Sequence, residues 1–407
     1  MRATFVKLGM GTFVAQMSNL VFLPVIIGIY PPELYGKYLL VIYGCNLILP
    51  FVVLKFDTKI ITSESKEFLN LAKLYFVLTE LILILGASLI FFLRVILNSA
   101  PIAGTLLLLE LVLLFAILQS LVIYSNSLAL SMKLVSNVAI SSVLQNLLTA
   151  IFQIIFGLLL SNVYSLFLGF ALGRLVALIP NSKVIFTIFH FNNFFNADLK
   201  SRIRLWIEVR VIVSGLIDAV AVAFPVFFTY IFISSSQAGA LGLAQSILSA
   251  PVTLIGGSLI SAILVEKRGR GVDDKSNRNY VKIHSRLIIL GAAIAISELL
   301  FAYSSFGGLL GENWAATKNI FVILIFPFFI FFSTSTFFGR LLVEDKWEVY
   351  AKINSMALVG GIGFSITSIF LTQNWLWQAT SFSLGRSIFL IIALSTREYL
   401  LTKKKRS

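Results

Sequence analysis

One cysteine, Cys45, and two histidines, His190 and His284, are all that 407 residues offer to a disulfide or a soft metal. That excludes an internal disulfide framework and a cysteine metal cluster. His190 falls in an amphipathic loop and His284 in a basic one, where solvated imidazoles are expected. Charge is scarce as well: 12% of residues are Asp, Glu, Lys or Arg, against about 25% in soluble domains. Acids are the scarcer sign, 18 against 32 basic residues. The length alone would suit two or three soluble domains, but so little charge cannot clothe them.

What fills the chain is apolar: 58% hydrophobic residues and a mean hydropathy of +0.96. The natural unit is then the membrane span of about 20 apolar residues. Such stretches fall at 8–30, 36–56, 74–93, 102–124, 138–160, 162–180, 209–233, 239–265, 287–306, 318–339, 353–372 and 378–394. All should be helices, because strands with open edges cannot satisfy their backbone groups in lipid. The first stretch is too long for a signal-peptide core and lacks a small-residue cleavage site, so it is expected to stay.

The basic residues orient these spans. With the N-terminus cytoplasmic, 27 of the 32 fall on inside segments. Only Lys37, Arg94 and Lys318 fall outside, and Arg174 and Arg386 lie within spans. This bias places both termini in the cytoplasm. It also assigns the net charge of +14 to lipid head groups, with no need of nucleic acid. Reporter fusions after Lys200 and after Arg278 are therefore expected to read cytoplasm, and one near Gly311 the opposite side. A non-cytoplasmic signal from either basic loop would overturn the span count.

No soluble domain is inserted between spans, and the outside loops are short. Residues 189–208 mix Phe and Trp with late Lys and Arg, the pattern of an interfacial helix between two halves. The expected organisation is a first lobe at 1–180, a basic amphipathic linker at 181–208, a second lobe at 209–394 and a basic cytoplasmic tail at 395–407. The halves look related. Pro24 and Pro50 are matched by Pro225 and Pro251 at the same separation. Phe170-Ala-Leu-Gly-Arg174 in span six is matched by Phe382-Ser-Leu-Gly-Arg386 in span twelve. Thr79-Glu80-Leu81 in span three is matched by Ser297-Glu298-Leu299 in span nine. A parallel repeat of six spans accounts for the order. The span prolines, Pro327 included, either shape a cavity and permit rocking or are simply tolerated bends.

Ionisable residues inside spans carry the functional signal, since each costs about 2.5–3.5 kcal/mol on insertion scales. They are Glu80, Glu110, Arg174, Asp218, Glu298 and Arg386. None forms a nucleophile–base pair or a metal-ligand spacing, so neither an enzyme nor a cofactor is expected. Arg174 and Arg386 read two ways: contacts to an anionic ligand, or structural ion pairs to Glu80 and Glu298. Gly173 and Gly385 beside them would let helices approach closely. Asp218 and Glu298, near the midplane, are candidates to exchange a coupling proton or Na⁺, with Glu80 as a further candidate. Glu110 has no counterpart in the other half and reads as structural.

Particular stretches resemble a known family. They are Pro32-Glu33-Leu34-Tyr35-Gly36-Lys37-Tyr38, Leu54-Lys55-Phe56-Asp57, Asp218 early in span seven, Gly239-Ala-Leu-Gly-Leu-Ala-Gln245 leading to Pro251, and Leu310-Gly311-Glu312-Asn313-Trp314. Together they are similar to bacterial polysaccharide repeat-unit flippases, the O-antigen and capsule exporters of the multidrug/oligosaccharidyl-lipid/polysaccharide superfamily. Leu241 stands where that family often has Tyr, and Leu310 where it often has Phe. The resemblance implies an all-α polytopic protein of about twelve spans, in two pseudo-symmetric six-helix lobes around a central cavity. It implies a place in the bacterial inner membrane and the flipping of undecaprenyl-diphosphate-linked oligosaccharide by alternating access, for lipopolysaccharide or capsule synthesis. Membrane lipids and a polysaccharide polymerase are the other implied partners. Rivals are another cargo on the same fold (a multidrug antiporter, or a teichoic-acid or peptidoglycan-precursor flippase) and a membrane glycan polymerase. The last would need catalytic residues on a large outside loop, which this chain lacks.

Overall fold

A backbone in hydrocarbon must satisfy its own hydrogen bonds, and a helix does so within one segment. The computed structural model of the chain describes residues 2–53, 60–61, 66–97, 103–189, 205–257, 274–304, 311–343, 346–372 and 374–404, and among these there is helix and no strand. Twelve long helices follow in order: α1 (Arg2–Ile29), α2 (Pro32–Val53), α3 (Lys66–Ile96), α4 (Ala103–Ser131), α5 (Val135–Leu160), α6 (Val163–Ala177), α7 (Leu205–Phe232), α8 (Ser235–Pro251), α9 (Asp274–Ser304), α10 (Ala315–Val343), α11 (Trp347–Leu371) and α12 (Trp375–Lys404). Each coincides with one of the twelve expected spans. Nine stretches among the described residues are long and apolar enough to cross a membrane. Helices α8, α9 and α12 are not among the nine: α8 is 17 residues long, and the apolar part of α9 is the shorter stretch Ile288–Tyr303. The chain is a multi-pass membrane protein. Its outward side chains are apolar, with Leu85 69% and Phe370 82% exposed, as lipid-facing positions require. The expected interfacial helix at 189–208 and the basic loop ahead of α9 lie largely outside the described residues.

The chain divides into two units: unit 1 holds residues 1–30, 37–219 and 261–270, and unit 2 holds 31–36, 220–260 and 271–407. Within unit 1, α3 packs on α4, α5 on α6, α4 on α6 and α1 on α5. Within unit 2, α9 packs on α10, α11 on α12, α10 on α12 and α8 on α10. The first three relations recur in each half, six helices apart.

Local chemistry sets these contacts. Between α5 and α6 the chain turns in two residues: Ser161 is left-handed (φ 47°), and the Asn162 side chain caps α6 by accepting from the Tyr164 and Ser165 amides at 3.0 and 3.3 Å. Such a cap satisfies amides that a helix start leaves open. Tyr30 at the end of α1 is fully buried; its hydroxyl donates to the Gln153 carbonyl at 2.7 Å and lies 2.8 Å from Ser165 Oγ. One phenol thus joins α1, α5 and α6. On the α3–α4 seam Phe76 stacks on Tyr124 with centroids 4.1 Å apart.

Unit 2 brings together segments far apart in sequence. Gly36 and Gly239 let two backbones touch, since a Cβ on either would run into the other segment's carbonyl, that of Ser235 or of Pro32. Only glycine suits such an approach. Trp314, 1% exposed, sets its edge against Tyr35 at 5.7 Å. Three of the stretches that carry the family resemblance therefore meet here, those of Gly239 and Trp314 both packing on the one around Tyr35. The helices continue through Pro24, Pro50, Pro225 and Pro327. After Pro251 the winding widens to a π turn over Val252–Gly257, the local adjustment that absorbs a lost backbone hydrogen bond.

Candidate functional site

A stripe of polar side chains crosses unit 1 through otherwise apolar helices. On α5, Gln145, Thr149 and Gln153 recur every fourth residue and so share one face. Gly169 and Gly173 of α6 lie against that face, where a Cβ on Gly173 would come within 2.8 Å of the Thr149 amide nitrogen. Small residues four apart let the two helices close up, as expected for Gly173. The following residue, Arg174, is thereby carried to the stripe.

Arg174 is half-buried, and every partner it has among the described residues is neutral. Its Nε donates to Gln119 Oε1 of α4 at 2.9 Å, and Nη1 donates to Thr149 Oγ1 at 3.0 Å. With its carbonyl turned to the guanidinium, the Gln145 amide accepts from Nε and Nη2 at 3.2 and 3.1 Å. The guanidinium carbon sits over the Phe170 ring at 3.8 Å, within cation–π range. Among the described residues no carboxylate lies at ion-pair distance. Of the two readings left open by the sequence, the ion pair to Glu80 is not the arrangement seen. Glu80 Oε1 is hydrogen-bonded to the Ser120 hydroxyl. Gln119 and Ser120 are neighbours on α4, so Arg174 and Glu80 approach the same helix without meeting. The polar stripe runs on through Asn146, whose Oδ1 accepts from Asn19 of α1 at 3.2 Å.

In unit 2, Arg386 of α12 lies over the Phe331 ring of α10 at 4.4 Å. Its own Phe382, which matches Phe170, packs instead on Phe224 of α7 at 4.9 Å. The repeat-matched arginines thus use different rings. Gly385 lies against the Phe364 side chain of α11, whereas Gly173 meets the backbone of its neighbour. Glu298 of α9 is half-buried and has no hydrogen-bond or ion-pair partner among the described residues. Asp218 of α7 is half-buried in unit 1. Glu110 pairs with Arg94 at 3.0 Å, in keeping with a structural acid. Among the described residues no group of three or more His, Cys, Asp or Glu could hold a metal.

The sequence did not point to Gln119, Gln145 and Thr149 as holders of Arg174. The four-residue polar period on α5 is the signal that could have found two of them. Gln119 lies 55 residues from Arg174, and no local pattern links them.

No protein-family model matches the chain, and no curated protein matches it in sequence. Solved structures do. A MATE crystal structure in complex with MaL6 matches over 99% of this chain and 97% of that one, with TM-score 0.70 and 14% identity. A mutant of the Vibrio cholerae MATE transporter VcmN matches over 98% and 96%, with TM-score 0.65 and 15% identity. The chain has the MATE fold. A MATE in the bent conformation also aligns, over 100% of this chain and 96% of that one, at TM-score 0.56 and 16% identity.

Proposed function

We propose that the protein exports an amphiphilic anion, a lipid diphosphate carrying an oligosaccharide, from the cytoplasmic to the outer leaflet of the bacterial inner membrane by alternating access. The observation that carries this reading is Arg174, an intramembrane cation whose partners among the described residues are all neutral. A guanidinium keeps its charge when desolvated and grips phosphate oxygens with paired donors. With no carboxylate beside it among the described residues, the positive charge is left for a cargo. The amides and hydroxyls of Gln119, Gln145, Thr149, Asn146 and Asn19 suit the sugar and phosphate oxygens of such a head group, while the lipid tail stays in the bilayer. Arg386, its repeat-matched counterpart, serves the same cargo, and Asp218 and Glu298 are candidates for the coupling ion. Membership of the polysaccharide flippases rests on the sequence stretches around Tyr35, Gly239 and Trp314.

A second reading has its own support: the MATE fold favours a multidrug antiporter or another cargo on the same scaffold. Thermal unfolding of the purified protein separates the two. A polyprenyl diphosphate in the detergent micelle is expected to raise Tm in the wild type and much less in Arg174→Ala. A rise with lipophilic cations and none with the diphosphate would favour the antiporter and contradict the anionic cargo.

A further inference from the structure

Apart from the Arg174 cluster, unit 1 contains a second buried polar pair, and its hydrogens can be counted. Ser120 Oγ lies 2.8 Å from the Ile117 carbonyl oxygen and within hydrogen-bond reach of Glu80 Oε1. A serine hydroxyl has one proton to donate. The Ile117 carbonyl can only accept, and so can an ionised carboxylate. Both contacts are satisfied together when Glu80 carries the proton, donating from Oε1 to Ser120, while Ser120 donates to Ile117. The other carboxyl oxygen, Oε2, is buried without a hydrogen-bond partner among the described residues, and Glu80 as a whole is 8% exposed. An ionised group there would leave a charged oxygen with no donor, which is costly; a neutral carboxyl tolerates it far better.

The surroundings offer little to hold an anion. Tyr124, one turn beyond Ser120 on α4, is fully buried with its hydroxyl unpartnered among the described residues. On α3 itself the nearby ionisable groups are Lys73 and Tyr75, two and one and a half turns before Glu80. Helix α2 meets α3 where Thr79 Oγ1 lies 3.2 Å from the Val52 carbonyl, and residues 46–53 include nothing ionisable. Arg174 is engaged at Gln119.

We propose that Glu80 is a proton-binding site of the α3–α4 pair, a neutral carboxyl that donates to Ser120 in this state and releases its proton when water reaches the seam. On release the O–H bond breaks, its electron pair stays on Oε1, and the proton passes to water. The carboxylate left behind is then solvated by that water. This gives the transporter a proton-exchanging group distinct from its cargo contacts, whichever cargo it carries.

Infrared spectroscopy of the full-length protein in phosphatidylcholine vesicles at neutral pH tests this directly. The wild type is expected to show a protonated-carboxyl C=O band that moves down in D₂O and is absent from Glu80→Gln. Ser120→Ala, which removes the acceptor, is expected to keep the band and move it to higher frequency. That variant decides the matter even where Glu80→Gln fails to fold. A carboxyl region identical in wild type and Glu80→Gln, or a band indifferent to Ser120→Ala, would overturn the assignment.

Discussion

Arg174→Ala is expected to cut export by at least about 30-fold while the protein still inserts and folds. Truncating one partner of a buried, hydrogen-bonded charge contact costs about 2–5 kcal/mol, and about 1.4 kcal/mol is tenfold. Arg174→Lys should lose part of that activity. An ammonium keeps the charge but cannot place separate planar donors on Gln119 and Thr149, at 2.9 and 3.0 Å, and still face a phosphate. Because Glu80 bonds to Ser120 and not to Arg174, the Arg174→Ala/Glu80→Gln double variant should be no more active than Arg174→Ala. Restored export in that double variant would show that the arginine serves only to neutralise Glu80. The comparison is made by initial transport rates, normalised to the amount of folded protein in the membrane.

Gly173→Leu is expected to do comparable damage by another route. Any side chain there meets α5 at backbone atoms, with the Thr149 amide nitrogen at 2.8 Å and its Cα at 2.9 Å from a Cβ. Backbone cannot rotate away, so α6 must move off α5. Overpacking of this kind costs about 1–3 kcal/mol. The displacement would also pull the guanidinium from Thr149. Both Tm and export should fall, whereas Leu175→Ala on the exposed face of α6 should change neither. A Gly173→Leu protein with wild-type Tm and export would mean that α5 and α6 are not in close contact at Gly173.

The contrast between what the sequence revealed and what it hid has a physical origin. Twelve spans were legible because hydrocarbon thickness sets a length of apolar chain that few other constraints produce. Their ends were less so. Helix α9 begins at Asp274, well before the apolar stretch at 287, because a helix can continue through basic residues once it leaves the lipid. At 1.5 Å per residue its 31 residues reach about 46 Å, more than the apolar core requires. The arginines of Phe-x-Leu-Gly-Arg could be singled out because a charge within a span is rare and the motif repeats. Their surroundings could not. Arg174 is held by side chains from three helices, and Phe170 and Phe331, the rings beneath the two arginines, occupy different positions relative to them. Glu80 was legible as an intramembrane acid, but Ser120 was one hydroxyl among many until α3 and α4 were packed together.

The central claim is that the Arg174 guanidinium, held by neutral side chains in unit 1, receives an anionic lipid-linked cargo. It is tested most directly by reconstituting the full chain in proteoliposomes with a fluorescent polyprenyl-diphosphate oligosaccharide and following its transfer between leaflets. Wild-type vesicles are expected to move the lipid well above protein-free vesicles, Arg174→Ala vesicles to approach the protein-free rate, and a lipophilic cation to be left behind by both. Transfer of the diphosphate lipid at equal rates by wild type and Arg174→Ala, or transport of the cation alone, would contradict the claim.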